Sequence, residues 1–542
     1  MLNTIKVMEP RVAVRGDDEK NHVVLYGGQR VTEQVAPADS WGTPGGTPVQ
    51  ALWTINPPST QTIVDRRIRA RCYFEVTTDQ DLQIGTNDAL RQYVVGSLTD
   101  VLTVQINGET ISDNVADKFH AMLCFGNNAQ DRQGVNSMSP SMPDGYQEYK
   151  DWATYGSSKN ALADYGETGL DQGRGGFPIE VVSARKFRVV VTEPLYMAPF
   201  LTGFEPQDEG FVNVNQMNIA IRWKTQLSQI LSHSSLGNAI TSVSVSMYQA
   251  PEILTTFITP DLTERIPQLQ ILPYSKPQEY IKSVGTLAPG ASTKVISDSI
   301  KLSQIPRKLY LFCRHERSSS NQNTTDSFLR IDRLSILFNN QSGLFSSASE
   351  QDLFAVSKSN GLNLSYPQWR RYRGGVFCAE FGKDIGLLDT ESPGVQGQYT
   401  IQIQMDVTNA SDQNFIPEFY TVFVNEGTFS ISEQFARASL GNLSPAAVLA
   451  AKESPELSHL HYEQISGSGF FSSLKNIVNK VATGVQSVLP LASQIVGAVA
   501  PEFSPILAGV GTAAGLAKSV TGGSRTGGTL TGGRSARRLS RR

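Results

Sequence analysis

The stretch RIRARCYFEV, residues 67–76, decides the fold class. Ile68, Ala70, Cys72, Phe74 and Val76 fall on one side of it, and Arg67, Arg69, Arg71, Tyr73 and Glu75 on the other. Successive side chains of a strand point to opposite faces, so this period of two describes a strand with one dry face and one wet face. Antiparallel sheets packed on a core from one side have that signature. The same alternation returns in Val101–Ile106, Phe187–Val191, Met217–Trp223 and Val243–Met247. After a Pro-rich passage around 260–277 it resumes in Lys308–Cys313, Leu334–Phe338, Tyr399–Val407 and Phe419–Val424. Most of these runs lack internal Gly or Pro, as sheet interiors require. Helical periodicity is scarce across 61–435, and alternating β and α units are absent, which argues against a doubly wound sheet. The expectation is a mainly β chain.

Outside the strands the composition changes. Residues 1–60, with PADSWGTPGGTP at 36–47, read as an irregular arm with one short strand near Val23–Tyr26. Residues 61–260 form a first β domain interrupted by a long insertion at 107–186, and 261–435 form a second. The insertion is rich in Gly, Asn, Asp, Ser and Tyr. It is too aromatic for a solvated linker and is expected to fold on itself or on a neighbour. The two domains look related. DVLTVQINGETISDNVADKFHAML (100–123) and DRLSILFNNQSGLFSSASEQDLFAVS (332–357) both run from Asp through a strand and an Asn turn into a short polar helix-like piece carrying Asp and Phe. MNIAIRWKT (217–225) matches YTIQIQMDVT (399–408) in type. Duplication in tandem fits this, and chance likeness among short strands is its rival.

IPRKLYLFCRHE (305–316), FLRIDRLSILFNNQSGLFSSASEQDLFAVSKSNG (328–361) and FGKDIGLLDTESPGVQGQYTIQIQMDV (381–407) resemble the second barrel of double jelly-roll major capsid proteins of virophages and polinton-like viruses. The likeness covers about 300–425 well. Over about 50–260 it extends only to strand order and loop placement. It implies two tandem eight-stranded jelly rolls per subunit, three subunits in a pseudo-hexagonal capsomer, and an icosahedral virion shell. The partners implied are other copies of the chain and other capsid proteins (penton, minor or cement). A minor capsid or penton component, or a lectin- or adhesin-like β-sandwich, is the alternative function. Tyr146, Tyr149, Trp152, Tyr155 and Tyr165 in the insertion would suit the lectin reading.

Residues 436–520 read as a helical, amphipathic and apolar segment, with Ser444 capping a helix that has Pro445 at its first position. Phe470, Phe471, Leu474, Ile477, Val478, Val481, Val485 and Val488 share one helical face, opposite Lys475, Asn476, Asn479, Lys480, Gln486 and Ser487. Such a helix either lies in a membrane interface or packs on the inner shell surface or a partner. Pro501 and Pro505 interrupt the apolar stretch that follows, which argues against one spanning helix. The tip, 521–542, has a low-complexity composition expected to be disordered. It carries Arg525, Arg534, Arg537, Arg538, Arg541 and Arg542 and no acid, within a 542-residue chain of net charge −3. Those arginines can neutralise nucleic-acid phosphates without reading sequence, and a solvated tail or cleavable signal is the competing reading.

Catalytic signatures are thin. GxxxxGK[ST], HExxH and GxSxG are absent. Gly173–Gly176 precedes no strand-to-helix turn. His459, His461 and Glu463, the pair Cys313 and His315, and the pair His120 and Cys124 each lack enough partners for a metal site. No metal, cofactor or enzymatic activity is expected. Cys72, Cys124, Cys313 and Cys378 lie far apart, and the start MLNTIKVMEPRVAVRGDDEK lacks an apolar signal core. Synthesis in the reducing host cytoplasm or nucleus, followed by residence in a virion, is the expectation. The N-x-S/T triplets at Asn323, Asn340, Asn363, Asn409 and Asn442 are then chance matches.

Overall fold

A computed structural model describes residues 4–6, 23–25, 30–42, 50–125 and 179–453, apart from 84–87, 92, 203–204, 207–209, 226, 234–237, 261–266, 325–327, 340, 373 and 412–413. Two β-sandwiches follow one another in the chain. In the first, one sheet runs in the order Glu109–Asp113, Thr99–Ile106, Met217–Trp223, Gln50–Ile55, Ser40–Trp41. The other runs Ile179–Ser183, Lys186–Pro194, Arg69–Thr78, Glu252–Thr259, Arg30–Pro37, with Val243–Met247 and Ile63–Val64 as further members. Ala70, Cys72, Phe74 and Val76 are all buried, as the alternation requires. Phe74 meets Trp223 of the opposite sheet edge to face, with ring centroids 6.0 Å apart.

The second sandwich pairs Leu269–Ser283, Pro417–Ser432, Lys308–His315 and Phe377–Glu380 in one sheet, with Ala436–Leu440 beside 417–432. In its other sheet Ser292–Ile296 and Ile300–Gln304 both lie on Gln396–Thr408, followed by Arg330–Phe338 and Gln341–Leu344. The two sandwiches repeat one plan. In each, a long strand turns at an Asn held in the left-handed region, Asn107 at φ 44° and Asn339 at φ 48°. A short return strand and a helix follow, Val115–Met122 in the first and Glu350–Ser359 in the second. Asn tolerates that backbone better than other side chains with a Cβ, because its short amide bonds locally.

Three expectations change. Residues 1–60 are not simply an arm: Arg30–Pro37 and Gln50–Ile55 are strands of the first sandwich. Arg30–Pro37 is an edge strand with polar and exposed side chains, so its sequence carries no dry row. The Pro-rich passage before 277 runs into the strand Leu269–Ser283. This strand is also an edge, and Pro273 and Pro277, four residues apart, lose their N–H on the same side. Strands also continue past 435, because Ala436–Leu440 pairs with Gly427–Ile431. Beyond it Ser444 Oγ accepts from the Ala447 N–H at 3.2 Å, which caps the helix Pro445–Glu453.

Candidate functional site: the seam between the sandwiches

The inner strands of one sheet of the second sandwich are dry on both sides. Every residue from Leu309 to Cys313 and from Phe419 to Val424 is buried. A sheet with a wet outer face would alternate, so another layer covers this one. The helix Val115–Met122 of the first sandwich, buried at every position, contributes to that cover. The Phe125 ring meets Tyr310 at 5.0 Å, and Phe211 meets Phe429 at 6.4 Å. Arg314 Nη1 donates to the carbonyls of Ala116 at 2.8 Å and Asp117 at 2.9 Å. Arg317 pairs with Asp100 and lies 3.5 Å from Asp117.

A charged trio sits within this seam. Lys118, with a fully buried side chain, reaches Asp113 at 2.5 Å and Glu279 of the second sandwich at 2.7 Å. Burial alone would lower the lysine, but the carboxylates of Asp113 and Glu279 hold it above its ordinary range. Burial pushes Asp113 up, against the pull of Lys118. Burial is the first cause at Asp113, and the nearby charge of Glu279 adds to it in the same direction.

Polar stitches extend the seam. Asn107 Nδ2 donates to the Ser432 carbonyl at 2.8 Å, and Asn213 Nδ2 to that of Pro267 at 2.8 Å. The Val212 N–H donates to Gln270 Oε1 at 3.0 Å, and Gln270 Nε2 returns a bond to the Gly210 carbonyl at 2.7 Å. The Ala438 N–H donates to Glu109 Oε1 at 3.1 Å. None of these side chains stands out in the sequence. The alternation expected of Lys308–Cys313 and Phe419–Val424 is not met, because both faces of these strands are covered, and the available signal is the apolar run FYTVFV at 419–424, broken only by Thr421, which a half-wet strand would not show.

His315 is partly buried beside the seam, against Phe415 at 4.8 Å and Ser319 Oγ at 3.1 Å. Burial pushes it below the ordinary imidazole range, and its hydrogen bond with the Glu316 backbone only partly opposes this. The unfolded chain therefore takes up that proton first. Stability from this group is present above the ordinary histidine value of about 6.5 and declines as pH falls below it. A melting series from pH 7.5 to 5 should show that decline, and His315→Gln should flatten it.

Among the described residues no cluster of His, Cys, Asp or Glu is arranged to hold a metal. All four cysteines are free and buried. Burial pushes the Cys378 thiol up to about 12. His120 Nε2 lies 3.0 Å from Ser97 Oγ, and Cys124 Sγ donates to the His120 carbonyl at 3.3 Å, so that pair is local packing. The apolar face Phe470–Val488, the six tip arginines, the His459–Glu463 cluster and residues 126–178 of the insertion lie outside the described residues.

Two sandwiches of one plan, locked in a single chain along a dry seam, have the architecture of a double jelly-roll capsid protein. Residues 2–186 match the family described as Sputnik virophage major capsid protein 1st domain, and residues 278–427 match Major capsid protein V20 C-terminal domain. A putative capsid protein, V20 of Sputnik virophage, is 33% identical over 98% of this chain and 97% of its own length. A chain in the cryo-EM structure of the Sputnik virophage superposes with a TM-score of 0.73 at 32% identity, covering 86% of this chain and 98% of that one. The mavirus major capsid protein shares the fold at a TM-score of 0.60 and 14% identity, over 82% of this chain and 95% of its own. The chain belongs to the Sputnik virophage major capsid protein family. It is a structural component of a virion shell and associates with itself.

Proposed function

We propose that three copies join by heterologous contacts that close under three-fold rotation, and that the resulting pseudo-hexagonal capsomers tile an icosahedral shell. The observation that carries this reading is the seam. It fixes two equivalent sandwiches side by side, so three chains present six similar units around one axis. The protein acts by assembling rather than by catalysing a reaction. The four buried thiols support synthesis in a reducing host compartment. Light scattering of the purified chain should give a trimer, with larger shells under the electron microscope. A strict monomer at high concentration would refute the reading.

The segment 466–542 faces the interior in this proposal. Its apolar row at 470–488 contacts lipid or the inner shell, and its arginines contact the genome. Penton and cement proteins join at capsomer edges. Deleting 466–542 should leave the sandwiches folded while abolishing liposome leakage or DNA retention. Unchanged leakage and retention would remove both roles from the tail.

A further inference from the structure

The charged trio of the seam is also a set of reactants. Lys118 Nζ lies 2.5 Å from Asp113 Oδ1 and 2.7 Å from Glu279 Oε2. The lysine side chain is fully buried, and those of Asp113 and Glu279 are 9% and 17% exposed. A carboxyl carbon sits one bond beyond its oxygen, so Nζ is close to the roughly 3–3.5 Å separation from which an amine attacks. Regular backbone fixes all three groups. Asp113 ends the strand Glu109–Asp113, Lys118 is the fourth residue of the helix Val115–Met122, and Glu279 lies on the strand Leu269–Ser283. Asn114 Nδ2 donates to Glu279 Oε1 at 3.3 Å, which leaves Oε2 turned to the lysine.

The two acids are placed for different roles. Burial pushes Asp113 up, while Lys118 and, more weakly, Lys276 pull the other way. The raised value favours the neutral carboxyl, which an amine can attack, over the carboxylate, which resists it. The two carboxylates keep Lys118 charged. Its lone pair becomes available only when it hands a proton to a base, and Glu279 is already in contact with it.

We propose that Lys118 and Asp113 close an amide bond within the chain, with Glu279 as the general base, so that the trio is a modification site that matures after folding. Glu279 takes one proton from the Lys118 ammonium. The freed lone pair attacks Asp113 Cγ, the N–C bond forms, and the bond from Cγ to its hydroxyl breaks. The hydroxyl leaves with a second nitrogen proton as one water. A neutral amide and a protonated Glu279 remain, and nothing is oxidised or reduced. The partly open edge of Glu279 gives the water and the proton a way out. Condensation replaces a buried ammonium by a neutral amide, a direction favoured where charge is costly to bury. The ion trio is the reactant state, and the one a freshly folded chain presents.

The test is the intact mass of the full chain, denatured just before measurement. Wild-type chain stored folded at neutral pH should weigh one water less than its sequence. Trypsin should no longer cut after Lys118, and fragmentation should place the new bond between Asp113 and Lys118. Newly made chain should start at full mass and lose the water with time, whereas the same chain moved at once into urea should keep it. Glu279→Gln preserves the shape of the base and should keep the wild-type circular dichroism spectrum. It should lose the water at least about a hundredfold more slowly, the usual contribution of a positioned base. A stored wild-type chain of full mass, loss at the same rate in urea or in Glu279→Gln, or a bond mapped to any other pair would overturn the proposal.

Discussion

Lys118→Met is expected to lower the unfolding free energy by about 3–5 kcal/mol, the usual cost of removing one partner from a buried ion pair. Lys118 bridges Asp113 and Glu279, and its removal leaves two carboxylates without their shared ion-pair partner in the seam. The loss comes from stranded charge rather than from the missing methylenes, which methionine largely replaces. Adding Asp113→Asn and Glu279→Gln should therefore recover most of it. Guanidinium chloride unfolding followed by fluorescence reads both steps. A single-mutant loss below about 1 kcal/mol would mean that water reaches the trio and screens it.

Trp223→Ala is expected to cost a similar amount, about 3–5 kcal/mol, by opening a cavity between the sheets of the first sandwich. Trp223 is 1% exposed and packs edge to face on Phe74. Its indole N–H has no hydrogen-bond partner among the described residues. Trp223→Phe should consequently be mild, at about 1.5 kcal/mol or less, because it keeps an aromatic filler and removes an unsatisfied donor. Equal losses for the two variants in calorimetric unfolding would refute this account of the site.

The strands readable in the sequence are those with one wet face. Met217–Trp223 and Val243–Met247 fall where the alternation puts them, because the pleat and the solvent impose the same period on the residues. The edges were hidden for physical reasons. Arg30–Pro37 needs no dry row, and Leu269–Ser283 tolerates Pro273 and Pro277 because one side of it bonds to no strand among the described residues. The seam was the least legible part. Asp117 and Lys118 look like the solvent face of a short helix, and only the approach of Arg317 and Glu279 from far along the chain turns them inward. Local periodicity reports whether a residue meets water, not which distant residue excludes it.

The seam also constrains synthesis on the ribosome. Glu252–Thr259 must emerge before Arg30–Pro37 can find its place, and Glu279 before Lys118 gains its second carboxylate. Until about half the polypeptide has been made, the leading sandwich holds an unfinished edge and lacks the cover that its buried helix Val115–Met122 shares with the second sandwich. A nascent chain stalled between those points is a natural client for chaperones, and the leading half expressed by itself should collect in inclusion bodies.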